Sequence, residues 1–359
     1  MDLLTQTNVS LAYNATMRFT PTYQGQGIPT AQRIAFTCAY TLIICLSLFG
    51  NTMLVAIIYK FPRMRTRTNY LLMNAAISDI AGVVILGRTI YVFAMDDKSF
   101  DIPGWLGEAL CKIFPFLRDT SIMVSVHSMV SITCDRFYAV VFPTMQTPSL
   151  LRVKFVVPFI WVTSIAYFSP YFFVYRIRVI YNARFCLSVW DAPFDPLQSP
   201  KKFQLTLIVT MFMIPLSVIV VLYTAIAISL RRQKIPGVAQ EESIARRRKR
   251  NKKVCIMAAV IVLGFFICWV PYHALTLYIS YVWKNKPPRH VLSYLPVMYD
   301  IFVTMSFMSF VINPYICFMF SENFRKCLRQ IFCRNRIGPI TISTQATRSL
   351  QNRVAEASL

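Results

Sequence analysis

The chemistry this sequence offers is concentrated in three side chains, Arg118, Ser125 and Arg136, set in an otherwise mostly apolar stretch from Cys111 to Phe142. In a helix turning ~100° per residue, Ser125 falls within about 20° of Arg118, and Arg136 lies a whole number of turns away. The three share a face. At ~1.5 Å per residue the stretch from Cys111 to Arg136 extends roughly 37 Å, against a hydrocarbon core of about 30 Å. A face carrying two arginines and a serine through a bilayer cannot look at lipid, so it looks into other helices or a wet cavity.

Asp79 poses the same problem in the run Leu72-Met73-Asn74-Ala75-Ala76-Ile77-Ser78-Asp79. An ionisable group at that depth costs at least ~2.5 kcal/mol unless it is solvated or paired. Asn51, Ser125, Ser309 and Asn313 are the polar groups available there. Several oxygens around one carboxylate suit a small hard cation such as sodium, with a hydrated polar cluster and no ion as the alternative.

These residues need long apolar elements to position them. Of 359 residues 56% are hydrophobic and 15% charged, and mean hydropathy is +0.50. The reading is a single all-α membrane domain rather than two or three soluble ones. Seven spans are expected, at about 32–59, 69–95, 109–141, 153–174, 203–230, 254–283 and 292–319. The domain layout is a tail at 1–31, a bundle at 32–319, an amphipathic eighth helix at 320–333 and a disordered tail at 334–359. The polar start shows no cleaved signal peptide. With the amino terminus outside, 23 of the 38 Lys and Arg fall on the cytoplasmic side, as the positive-inside rule requires. That distribution makes nucleic acid the weaker reading of the net charge of +23. Asn8 and Asn14 open glycosylation sequons, which carry meaning only if that tail is extracellular.

Residues 174–190 alternate in the manner of a hairpin outside the membrane, with Asn182-Ala183 as the turn. Of ten cysteines only Cys111 and Cys186 fall in expected extracellular positions, so they are the pair an oxidising compartment could join. Pro215 and Pro271 each free a carbonyl four residues back, of Met211 and Ile267, and leave a bend. Residues 245–253 extend the sixth span as a basic stalk, which serves as a topology signal beside anionic lipid or as a partner site. Ser321 can cap a helix whose apolar side includes Phe320, Phe324, Cys327, Leu328, Ile331 and Phe332, with Arg325, Lys326 and Arg329 opposite. Acylation of Cys327 and Cys333 would tether it. The final tail holds phosphorylatable serines and threonines.

Gly50-Asn51, the Leu72 to Asp79 run, Cys111 with Cys186, Asp135-Arg136-Phe137, Trp161, Pro215 with Tyr223, Phe265 to Pro271 and Asn313-Pro314 occur in this order across seven spans. In this the chain resembles the rhodopsin-like class of G-protein-coupled receptors over about residues 30–333, and most of all the neuropeptide receptors. The resemblance implies a plasma-membrane receptor, not an enzyme, whose partners are an extracellular ligand, a heterotrimeric G protein, membrane lipid, and arrestin and receptor kinases at the tail. It implies a sodium site at Asp79, Ser125 and Asn313 and coupling through Asp135 and Arg136. The core that rearranges would contain Pro215, Tyr223, Phe265, Trp269, Pro271, Asn313 and Pro314. Two positions depart from the family pattern. Phe137 stands where tyrosine is commoner, and Cys317 stands where the family has the tyrosine of its seventh-span motif. A thiol cannot reach out to bridge water to Tyr223.

Arg118 occupies the position at which amine receptors resemble one another in placing an aspartate. Asp119 points about 100° away and cannot simply replace that counter-ion. Arg88 adds a second cation, while Asp300 and Glu108 supply acid. Tyr91, Trp105, Tyr272, His273, Tyr281 and Tyr299 give aromatic walls with polar tips, and Ile122, Thr276 and Val303 complete the expected ligand set. The alternative is that Arg118 and Asp300 pair with each other across the bundle. The favoured ligand is a short neuropeptide whose carbonyls, amide or acid meets Arg118 and Arg88. A small carboxylate or lipid mediator is second. Retinal is disfavoured because residues 291–319 contain no lysine for a Schiff base. A seven-span transporter or channel should show internal repeats around a midplane site, and none is found. There is no GxS, HExxH or P-loop for an enzyme.

Overall fold

The structure is a computed structural model that describes residues 27–142, 152–180, 182–196, 198–232 and 241–333. Asn8, Asn14 and the phosphorylatable tail lie outside these.

Helix α1 (Thr30–Lys60) ends where Phe61 turns extended ahead of Pro62. Helix α2 (Arg67–Val83) is capped by the Thr66 side chain, which accepts from the Asn69 amide at 3.3 Å, and α3 (Leu86–Met95) continues it after a two-residue break. Helix α4 (Gly104–Val141) runs 38 residues and packs against α2, α8 and α5. Helix α5 (Val153–Phe168) and the turn α6 (Tyr171–Val174) lead into strands β1 (Tyr175–Ile180) and β2 (Ala183–Ser188). Helix α7 (Ser199–Ile208) continues into α8 (Ile214–Arg232), and α9 (Glu241–Leu277) includes the basic stalk. Helices α10 (Leu295–Phe307) and α11 (Ser309–Phe320) precede α12 (Glu322–Phe332), whose first turn Ser321 caps.

Among the described residues five helices are by length and composition able to cross a bilayer, and α10 with α11, bent by 40°, makes a sixth. Helix α4 is long enough but too polar to be counted among them, since Arg118, Asp119, Asp135 and Arg136 interrupt its apolar surface. Those charges are tolerable because α4 lies at the centre. Asn74 donates to the Ser128 hydroxyl at 2.9 Å and accepts from the Trp161 indole at 2.9 Å, which ties α2, α4 and α5 together. Gly82 is required at the α2–α4 crossing, where an added Cβ would come within 2.1 Å of the Ser121 hydroxyl oxygen.

Two expectations change in detail. The hairpin pairs Ile180 with Ala183, so Ala183 belongs to β2, and Asn182 alone of the expected turn pair leaves the strand, with φ at 61°. Ahead of Pro215 the chain forms a π-helical turn, Val209–Met213, which absorbs the lost amide over five residues rather than at one bend. The last span bends at Met308, five residues before Asn313.

Candidate functional site

The Cys111–Cys186 disulfide joins α4 to β2 and closes one end of the bundle. Beneath it lies a cavity of about 240 Å³, whose lining includes Arg88, Lys98, Arg118, Tyr175 and Phe307. Arg118 does not reach across to Asp300. Its Nε lies 2.6 Å from Asp119 Oδ1, another guanidinium nitrogen lies 3.1 Å from Oδ2, and the Tyr171 hydroxyl donates to the same carboxylate at 2.8 Å. The rule that neighbours in a helix point apart holds for their Cβ atoms, but the long arginine side chain folds back. Asp119 thus compensates Arg118 after all. Asp300 makes no ion pair among the described residues.

Arg88 is fixed in a different way. It donates to the Ser99 carbonyl, and its guanidinium stands 5.1 Å from the Tyr91 ring centre and 5.6 Å from that of Phe100. Among the described residues its Nη1 is buried without a partner. Tyr272 packs against Tyr299 at 6.0 Å, and His273 stacks on Trp269 at 5.4 Å. Thr276 donates to the His273 carbonyl at 3.0 Å, while Ile122 and Val303 pack into the bundle core. Trp105 and Glu108 do not belong with Arg118. They face a separate groove with Lys112, Phe172 and Arg184. Tyr281 lies at the rim, where its hydroxyl donates to the Lys201 carbonyl at 3.4 Å.

Halfway down, Asp79 is 1% exposed and accepts from Ser125 at 2.7 Å and from the Asn313 amide at 3.0 Å. The four polar residues expected around it divide into two groups. Asn51 turns away to the Phe310 carbonyl, and the Ser309 hydroxyl accepts from the Trp269 indole at 3.2 Å. One carboxylate beside a hydroxyl oxygen fits a small monovalent cation, which Asp79 and Ser125 would hold, with Asn313 joining them if its amide turned to present oxygen. Among the described residues no three His, Cys, Asp or Glu side chains converge.

At the other end of α4, an Arg136 guanidinium nitrogen lies 2.6 Å from Asp135 Oδ2, to which Thr68 of α2 also donates at 2.7 Å. Tyr223 packs beside Val140, Ile226 and Cys255 close by. Phe212, Phe265 and Trp269 form a chain of rings with centres 6.1 and 5.9 Å apart. Cys317 is fully buried, and Tyr315 points to α1, where its hydroxyl donates to the Leu46 carbonyl at 3.2 Å. The expectation for acylation is corrected at Cys327, which is buried with its sulfur 3.3 Å from Arg63 Nη2. Cys333 is exposed. Sequence reasoning missed Tyr175 and Lys98 at the cavity, Tyr171 on the Asp119 carboxylate, and also the 2.6 Å contact between Lys253 and Glu322. Nothing in residue spacing identifies such contacts between distant elements.

A bundle of apolar helices with a disulfide-pinned hairpin over a charged cavity, and an Asp-Arg pair at the far end of the same helix, defines a multi-pass membrane protein. The family model described as 7 transmembrane receptor (rhodopsin family) matches residues 50–316, and the chain belongs to that family. It is similar to the pyroglutamylated RF-amide peptide receptor of Rattus norvegicus, 26% identical over 321 residues, covering 85% of this chain and 71% of the relative. The substance-K receptor of Homo sapiens is 27% identical over 335 residues, with 92% and 80% covered. The substance-P receptor of Cavia porcellus is 26% identical over 307 residues, with 85% and 72% covered.

Proposed function

We propose that the chain is a plasma-membrane receptor with seven spans and its amino terminus outside, which binds a short neuropeptide and activates a heterotrimeric G protein. The observation that carries this reading is the placement of Arg118 and Arg136 on one helix, the first at the charged cavity and the second at the opposite end. Eighteen residues separate them, about 27 Å of rigid helix. The peptide-receptor names of the relatives support a peptide as ligand.

In this reading a peptide carbonyl, amide or acid meets Arg118 and Arg88, and a basic group meets Asp300. Ligand shifts an equilibrium between two packings. The ring chain of Phe212, Phe265 and Trp269 repacks, α9 swings about Pro271, and Arg136 is uncovered for the G protein. Because coupling is reciprocal, bound G protein tightens agonist by the same factor. A cation held by Asp79, Ser125 and Asn313 would favour the resting packing. Residues 1–31 form the outer tail, 320–333 an interfacial helix tethered through Cys333, and 334–359 a tail for receptor kinases and arrestin.

Expression with a promiscuous G protein, followed by screening of amidated and free-acid peptide pools beside amines, carboxylates and lipids, tests the reading. A response confined to peptides supports it. A response to carboxylates or lipids alone replaces the ligand class, and ion flux independent of G proteins overturns the receptor reading.

A further inference from the structure

A second cavity, of about 640 Å³, lies on the flank of the bundle, where the first turns of α4 face α6 and β2. Trp105, Glu108, Ala109, Lys112 and Ile113 line it from α4, Phe172 from α6 and Arg184 from β2. The α4 residues recur at three- and four-residue spacing and so form one face. Among the described residues Trp105 is 81% exposed, and Phe172, which packs one side on Phe116 with ring centres 4.7 Å apart, is 40% exposed, so the two leave a large apolar surface open. Glu108 lies one turn from Lys112, yet among the described residues neither they nor Arg184 form an ion pair. Two cations, one carboxylate and an open indole therefore converge on a groove whose remaining walls are apolar.

We infer that this groove binds one phospholipid with a zwitterionic choline headgroup. The charges complement such a headgroup at both ends. Lys112 and Arg184 face the phosphate. The quaternary ammonium, which has no N–H to donate, is met by the face of Trp105 and the carboxylate of Glu108. Ile113 and Phe172 line the path of an acyl chain. A purely anionic lipid would leave Glu108 repelled and Trp105 unused. The site is separate from the cavity that holds Arg118, so the inference depends only on the chain lying in a bilayer.

Native mass spectrometry of the full chain, exchanged from detergent into equimolar phosphatidylcholine and phosphatidylglycerol, tests it. The wild type is expected to retain one phosphatidylcholine in preference. Trp105→Ala should lower that retention roughly three-fold, the loss of an exposed cation–π contact, and leave phosphatidylglycerol unchanged. Lys112→Gln with Arg184→Gln should lower both lipids. Ala109→Phe, which fills the groove without altering charge, should displace phosphatidylcholine, with thermal unfolding as the check that each variant folds. Equal retention of the two lipids by the wild type, or phosphatidylcholine retention unchanged in both Trp105→Ala and Ala109→Phe, would overturn the inference.

Discussion

Arg118 and Asp119, adjacent in sequence, close a two-point ion pair on each other, with contacts of 2.6 and 3.1 Å. The cavity therefore presents a cation that is compensated from its own helix. A ligand acceptor can reach Arg118, whose side chain remains 36% exposed.

Arg118→Ala is expected to weaken agonist about ten- to hundred-fold, the loss of a charge-assisted hydrogen bond, with surface expression intact. Asp119→Asn leaves the guanidinium uncompensated and should cost about 1–2 kcal/mol of stability after allowance for its exposure. The double variant should recover expression without recovering potency. Thermal unfolding and concentration–response curves separate the two effects. Potency unchanged in Arg118→Ala would remove Arg118 from the pocket.

The Cys111–Cys186 bond closes a loop with a sequence separation of 75. Replacing both cysteines by serine should lower stability by on the order of 4 kcal/mol through loop entropy. The hairpin over the cavity would also be released, so ligand binding should fall further than the melting temperature alone implies.

Lys253 at the base of α9 and Glu322 at the start of α12 are 2.6 Å apart. Hydrogen bonding from Lys253 holds the Glu322 carboxyl below its ordinary value. If α9 swings outward, this exposed pair must part, so it favours the resting packing. Glu322→Lys should raise basal nucleotide exchange by less than about five-fold. Lys253→Glu combined with Glu322→Lys should restore the basal rate, and failure of that restoration would assign the pair no part in the equilibrium.

Gly82→Val would force α2 from α4 at Ser121. Loss of folded protein at the cell surface is expected, measured by antibody binding to an epitope-tagged chain. A variant expressed and binding as the wild type would show that the crossing can relax.

How much of this was legible beforehand depended on the kind of constraint. That Asp79 finds polar partners could be read from its depth, but depth left Asn51, Ser125, Ser309 and Asn313 all open, and only the family resemblance singled out Ser125 and Asn313. Cys111 with Cys186 could be read because, of the ten cysteines, only those two fall in expected extracellular positions. Arg118 with Asp119 could not, because helical geometry fixes where a Cβ points and not where a long side chain returns. Trp105 and Glu108 were misplaced for a related reason, since periodicity defines a face of α4 but not the element which that face meets. Cys327 shares a helical stripe with Phe324, and the stripe cannot tell lipid from protein as its cover. The π turn before Pro215 had no sequence sign at all, because proline marks a lost amide and not how the backbone distributes the loss.

The central claim is that Arg136, paired with Asp135 at rest, is the contact uncovered for a G protein. It is tested most directly by agonist-stimulated GTP exchange in membranes containing equal surface amounts of wild type and Arg136→Gln. The account predicts that Arg136→Gln binds agonist and stimulates no exchange above background, whereas exchange equal to the wild type would contradict it.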